Sequence, residues 1–287
     1  SRGLEVCRQY WPDSCFVVLM VFNNLIQVQP ISAYDDNYIW LLSDSHCAVV
    51  VDPGDAEPVI AHLKEHHLQL KAILVTHHHA DHIGGVQSLL DWARGFGDVP
   101  LVYGPAGEDI DLPIEGVMQG DSLHIAQPAC DLFVLDVPGH TSGHVAFLLN
   151  GAQHHLFCGD VLFASGCGRI FEGTPEQMFA SLNKLKQLHP ETLIHCAHEY
   201  TLGNIKFALA VEPHNPNLLS WQDRAQALRR AGKPTVPTTL AHELEVNPFL
   251  RCEMLPVVSA VTQHTKLANK EPLAIFTALR AWKDGFK

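Results

Sequence analysis

Between Thr76 and His82 the chain reads Thr76-His77-His78-His79-Ala80-Asp81-His82, four imidazoles and a carboxylate in one short segment. Core packing has no use for donors at that density, whereas a divalent cation does. In an extended stretch alternate side chains share a face, so His77 and His79 can converge on one ion. A turn at Ala80 then lets Asp81 and His82 address a second, and Gly84-Gly85 allows the backbone to approach closely before a helix opens. Three further donors each follow an apolar run: His140 in Pro138-Gly139-His140-Thr141, Asp160 in Cys158-Gly159-Asp160, and His198 in Cys196-Ala197-His198-Glu199. Alone, a His or Asp beside Gly reads as a turn or cap residue. Together with the cluster they read as ligands brought from strand ends. His78 is expected to point away or to bond outside the metals. His124, His144, His154, His155 and His195 are expected to be structural or exposed, and His62, His66 and His67 to form a solvated helix face.

The elements that must position these donors follow from periodicity. Tyr38-Ile39-Trp40-Leu41-Leu42 and Cys47-Ala48-Val49-Val50-Val51, split by the polar turn Ser43-Asp44-Ser45, predict a hairpin that Asp52-Pro53-Gly54-Asp55 breaks. A helix is predicted from about Glu57 to Glu65, and Ala72-Ile73-Leu74-Val75 reads as a buried strand ending at the His cluster. Further strands are expected at Leu101-Val102-Tyr103, Leu132-Phe133-Val134-Leu135, Val145-Ala146-Phe147-Leu148-Leu149 and Leu193-Ile194-His195-Cys196. Helical spacing marks Gly85 to Trp92 and Glu176 to Leu188. After His198 the character becomes helical: Asn204 to Val211, Leu218 to Arg230 and Pro272 to Lys283, with Lys233-Pro234-Thr235-Val236-Pro237 as a link. This predicts a layered α/β domain over 27–198 and a smaller, mainly helical domain over 199–287. Residues 1–26 are expected to be an extension outside both.

Composition narrows the function. A net charge of -12, with 19 Lys and Arg against 31 Asp and Glu, excludes general nucleic-acid binding, which depends on cations neutralising phosphates. An anionic substrate would need a local basic patch. The 8 cysteines show no CxxC pair, so buried free thiols and a reducing cytoplasm are expected. The apolar run Cys15 to Phe22 is too short to span a bilayer, and Glu5 and Asp13 spoil the basic flank of a signal peptide.

The segment Thr76 to His82 matches the signature THxHxDH, and here the sequence resembles the metallo-β-lactamase superfamily. That resemblance implies an αββα sandwich. It also implies His77, His79 and His140 on one metal and Asp81, His82 and His198 on the other, with Asp160 bridging. Phe157 to Phe163, Gly166 to Thr174, Cys196 to Thr201, Asn247 to Arg251 and Arg280 to Lys283 are more narrowly similar to the hydroxyacylglutathione hydrolases, the glyoxalase II family. The likeness runs from about Gln29 to the C-terminus. It implies that Arg169, Phe171 and Tyr200 contact glutathione and that Arg280 and Lys283 receive its glycine carboxylate. Phe171 stands where some members have a tyrosine, which removes one hydroxyl.

The chemistry implied is hydrolysis of S-D-lactoylglutathione, or another S-(2-hydroxyacyl)glutathione, to glutathione and a 2-hydroxy acid, as in methylglyoxal detoxification. Two cations sharing one water can present hydroxide to an acyl carbon and stabilise the oxyanion. Asp81 would both ligate and orient that nucleophile. A thiolate with a pKa of about 8.5 leaves without a dedicated general acid. Two divalent ions are expected, zinc first, with iron and manganese open because His and carboxylate donors accept all three. A monomer is expected, with neither membrane nor nucleic acid as partner. The rivals are an iron persulfide dioxygenase, a di-iron electron-transfer protein, an RNA nuclease lacking its basic arm, a lactonase that would leave Arg280 and Lys283 idle, and a non-catalytic binding module.

Overall fold

The computed structural model of this chain describes residues 26–286. The expected extension, residue 26 apart, and the apolar run Cys15 to Phe22 lie outside those residues. The chain forms two compact units, the first running to Asp136 and including Ser142–Gly159, the second comprising Val137–Thr141 and Asp160–Lys287.

In the first unit β1 (Gln27–Ala33), β2 (Asn37–Ser43), β3 (Cys47–Val51), β4 (Gln69–Leu74), β5 (Leu101–Pro105) and β6 (Glu115–Val117) form one mixed sheet in that order. β1, β2 and β3 are antiparallel neighbours, so the predicted hairpin is present, and β3 to β6 run parallel. Every residue of β2 and β3 is buried, which is how a sheet covered on both faces reads. One face carries α1 (Ala56–Glu65) and α3 (Val86–Arg94), with the short α2 (Ala80–Ile83) just before α3. α3 buries Val86, Leu89, Leu90 and Ala93, a stripe at helical spacing. Val86, Leu89 and Leu90 join Val59, Leu63, Ile39, Leu41, Val50 and Ile73 in one core. Each such aliphatic side chain contributes roughly 1.5–3 kcal/mol by leaving water. β7 (Ser122–Ile125), β8 (Cys130–Asp136), β9 (Val145–Leu149) and β10 (His155–Gly159) form an antiparallel run within a second sheet.

In the second unit β11 (Leu162–Phe163) and β12 (Gly166–Cys167) make a tight hairpin, followed by α4 (Pro175–Leu185) and β13 (Leu193–Cys196). α5 (Thr201–Val211), α6 (Pro216–Arg230), β14 (Thr238–Thr239), α7 (Leu240–Val246), α8 (Leu255–Thr265) and α9 (Pro272–Asp284) complete it. β14 pairs with β13. Thr174 opens α4 with a capping box closed by Gln177. Ile205, Ala208, Leu218, Trp221, Ala225 and Val246 form the helical core.

Compactness therefore divides the chain at Asp160, whereas the change of pattern in the sequence falls at residue 198. The physical reason lies in the β11–β12 hairpin, whose backbone is held by side chains of the C-terminal helices. Asn204 donates to the Ala164 carbonyl, Asn247 to the carbonyls of Phe163 and Gly166, and the Ser165 amide to Glu243. Among the described residues no helix is long and apolar enough to cross a membrane. The described cysteines, Cys47, Cys130, Cys158, Cys167, Cys196 and Cys252, are free and buried.

Candidate metal centre and substrate cleft

In the first unit the His cluster begins just after β4 and runs into α2, which carries Asp81 and His82. The residue that anchors it is Asp52, 4% exposed, at the end of β3. Its Oδ1 accepts the Thr76 amide at 2.7 Å and its Oδ2 accepts the Thr76 hydroxyl at 2.7 Å. Because that hydroxyl proton goes to a carboxylate, Thr76 Oγ1 can only accept from His77 Nδ1, 3.0 Å away. His77 is thereby set as the Nδ1–H tautomer, and its Nε2 lone pair points to His79 Nδ1 at 3.1 Å. His82 places Nδ1 3.1 Å from Asp52 Oδ2 and Nε2 3.5 Å from Asp81 Oδ2. A neutral imidazole has one N–H, so one of those two carboxylates meets a lone pair, an arrangement that a cation relieves. His77 packs against His82 at 4.0 Å between ring centroids and stacks on the fully buried His144 at 4.5 Å. The His78 amide donates to Glu108 Oε2 at 2.6 Å. A Cβ at Gly54 would overlap the Asp81 carbonyl oxygen, so this close approach requires glycine.

In the second unit His140, Asp160 and His198 come together. Asp160 Oδ2 lies 3.4 Å from His140 Nε2 and Oδ1 lies 3.3 Å from His198 Nε2. His140 Nδ1 donates to the Arg169 carbonyl oxygen at 2.7 Å, which leaves a neutral His140 with a lone pair at Nε2, facing the carboxylate. One carboxylate thus has an imidazole at each oxygen. All three residues are at least 93% buried, with Asp160 the most exposed at 7%. Both donor sets thus suit a divalent cation of the zinc, iron or manganese type.

A cleft of about 560 Å³ in the second unit is lined by His140 and Asp160 and also by Arg169, Phe171, Tyr200, Arg280 and Lys283. The five residues expected to touch substrate therefore share one cavity. Tyr200 stacks flat on His198, 4.7 Å away with planes 5° from parallel, and Phe171 meets His140 edge-on at 5.2 Å. Arg280 is 6% exposed and donates to the Cys167 carbonyl and to Asp284 Oδ1, both at 2.9 Å. Asp284 Oδ1 also lies 3.5 Å from Arg169 Nε. Lys283 donates to the Gly203 carbonyl, and burial pulls its pKa down to about 8.

The sequence reading missed Asp52, Glu108, Asn37 and Glu243. Asp52 carried a signal, a carboxylate placed directly after the wholly apolar Val49-Val50-Val51. The others become visible only when distant segments meet.

Residues 35–112 match the family model of the metallo-beta-lactamase superfamily, the class to which the sheets and helices described above belong. Residues 199–286 match the model of the hydroxyacylglutathione hydrolase C-terminus. A hydroxyacylglutathione hydrolase of Cupriavidus metallidurans is 53% identical over 92% of this chain and 100% of its own length. One of Vibrio cholerae is 50% identical over 91% of this chain and 100% of its own length. The chain belongs to the hydroxyacylglutathione hydrolase family. Among solved structures, TTHA1623 in a di-iron-bound form aligns at a TM-score of 0.54 and 27% identity, covering 78% of this chain and 100% of that one.

Proposed function

We infer that this enzyme hydrolyses the thioester of an S-(2-hydroxyacyl)glutathione, S-D-lactoylglutathione in the first place, to glutathione and a 2-hydroxy acid. The observation that carries the reading is the cleft that has His140 and Asp160 on its wall together with Arg169, Arg280 and Lys283. Donors for the reacting end and cations for the anionic end of one substrate line one cavity. That local patch answers the anion-binding problem posed by a chain of net charge -12.

The residues proposed to hold two divalent ions are His77, His79 and His140 for one and Asp81, His82 and His198 for the other, with Asp160 shared. Zinc is the first expectation; the di-iron relative supports iron as an alternative. Such ions, when bound, bring a water molecule toward ionisation near neutral pH and polarise a carbonyl. The chain's own side chains do the rest. Asp81 accepts a proton from and orients the attacking water. Arg169 and Lys283 attract the glutathione carboxylates, while Phe171 and Tyr200 flank the peptide. The departing thiolate needs no proton donor, because its pKa is about 8.5.

The accompanying reading is a monomer in a reducing cytoplasm, which the free, buried thiols suit. The test is loss of ultraviolet thioester absorbance from S-D-lactoylglutathione with zinc-replete protein, beside the double variant Arg169→Ala, Lys283→Ala. Turnover that weakens through KM in the variant supports the reading, and absent turnover in the replete wild type refutes it.

A further inference from the structure

Asn37 is the first residue of β2 and is 7% exposed. Its Nδ2 donates to Asp81 Oδ2 at 3.1 Å and lies 3.4 Å from the Asp81 carbonyl oxygen. The amide orientation is decided by these partners. Turned over, the Asn37 oxygen would meet a carboxylate and a carbonyl with no proton between them. Asp81 Oδ2 is also the oxygen 3.5 Å from His82 Nε2, so the amide fixes which carboxylate oxygen lies toward that imidazole.

The base of this contact is rigid. Asn37 pairs with Ala33 across the β1–β2 turn, and Tyr34 in that turn donates its hydroxyl to the Gly54 carbonyl at 2.8 Å. Gly54 in turn packs against the Asp81 backbone so closely that no Cβ fits. The turn therefore grips Asp81 twice, by its backbone through Gly54 and by its side chain through Asn37. The Asp81 side chain is itself 42% exposed, so close packing does not set its rotamer. A hydrogen bond to an ionised carboxylate is about twice as strong as one between neutral groups and is a suitable device for doing so.

We propose that Asn37 is a positioning residue for Asp81, holding its carboxylate in the orientation in which it takes a divalent cation. The proposal rests on the reading of Asp81 as a ligand given under the proposed function. Partners that orient a metal ligand change affinity by about 10–100-fold when removed.

The test is zinc titration of chelator-stripped protein in competition with a chromophoric chelator, with melting of the stripped proteins as the fold control. The wild type is expected to bind two ions. Asn37→Ala should weaken one of them by about 10–100-fold and leave the other unchanged. Asn37→Asp, the same size but setting an acceptor against the carboxylate, should weaken that ion further. Wild-type affinities for both ions in both variants would overturn the proposal. So would equal weakening of both ions accompanied by a lower Tm of the stripped protein, which is a general fold defect. A wild type that hydrolyses the thioester while Asn37→Ala binds zinc normally separates failure of this proposal from failure of the functional reading. A wild type that binds no zinc overturns both.

Discussion

His140 Nδ1 lies 2.7 Å from the Arg169 carbonyl oxygen, so one hydrogen bond joins a residue of the proposed metal centre to a residue of the proposed anion site. The tie is reinforced in the other direction, because the amides of Phe171 and Glu172 donate to the His140 carbonyl at 3.2 and 3.3 Å. Residues 169–172 and His140 therefore hold their places together, and a substitution in that segment reaches the donor set through the backbone.

Phe171→Tyr tests what that segment contributes to binding. Phe171 is 60% exposed at the cleft and has no polar group to offer glutathione. A hydroxyl that gains one hydrogen bond adds about 0.5–1.5 kcal/mol, so KM for S-D-lactoylglutathione should fall by about 2–12-fold with kcat unchanged. Steady-state kinetics decide, and an unaltered KM removes Phe171 from the substrate contacts.

Lys283 should give binding a pH dependence. Burial lowers its pKa to about 8, so the side chain is charged below that pH and neutral above it. KM for an anionic thioester is expected to rise as pH passes upward through about 8. Lys283→Arg keeps its charge and should abolish the inflection. A KM profile identical in wild type and Lys283→Arg argues against contact between Lys283 and substrate.

Arg280 and Lys283 stand one helical turn apart, yet their removal should have unequal effects on folding. Arg280 is 6% exposed and bonded to the Cys167 carbonyl and Asp284. Arg280→Ala leaves those acceptors without their donor and should cost about 1–3 kcal/mol of stability, whereas Lys283→Ala should lower Tm far less. Chemical denaturation of both variants measures the difference.

Glu243 is fully buried and accepts from the Ser165 amide, the Thr238 hydroxyl and the Asn247 amide, all of which favour its charged form. Burial outweighs them and raises its pKa from 4.5 to about 7. A carboxyl whose pKa is higher folded than unfolded stabilises the fold below pH 4.5, and that contribution is lost as pH rises through about 7. Glu243→Gln cannot ionise, so its stability should fall less steeply over that window, by at most about 1.4 kcal/mol per pH unit. Parallel profiles of wild type and variant would refute the assignment.

Asp81→Asn keeps the size of the side chain but removes the charge that ligates and orients. Turnover should drop by about 100-fold or more, the range set by losing a positioned acid–base group. The Tm of metal-stripped protein should be close to that of stripped wild type. Full turnover in the variant would dismiss Asp81 from the chemistry.

Much of the fold and site could be read from residue order because the relevant signals are local. The run from Thr76 to His82 carries its donors contiguously, and the alternation around Ser43-Asp44-Ser45 announces the hairpin that β2 and β3 form. Helical spacing marked the body of α4 but not its ends, since the expected Glu176 to Leu188 is Pro175–Leu185 in the structure. β1 and α8 were not. β1 contains Pro30 and is only partly buried, so it lacks an apolar signature, and α8 buries just Val257 and Val261. The supports of the donors were hidden for another reason. Asp52 and Thr76 are 24 positions apart, Asn37 and Asp81 are 44, and Ser165 and Glu243 are 78. Nothing in a one-dimensional pattern links such pairs, since the sheet and the helical core alone decide who meets whom.

The six described cysteines, all buried, have a consequence for an enzyme that handles activated acyl groups. A thioester is passed readily to any accessible thiolate, so a protein concentrating such a substrate risks acylating itself. Burial raises the pKa of Cys130 and Cys196 to about 12 and pushes Cys47, Cys167 and Cys252 upward as well. Cys167 lines the cleft itself, under the Arg280 guanidinium, and is still 5% exposed and held as the thiol. Among the described cysteines, then, none competes with water for the acyl group.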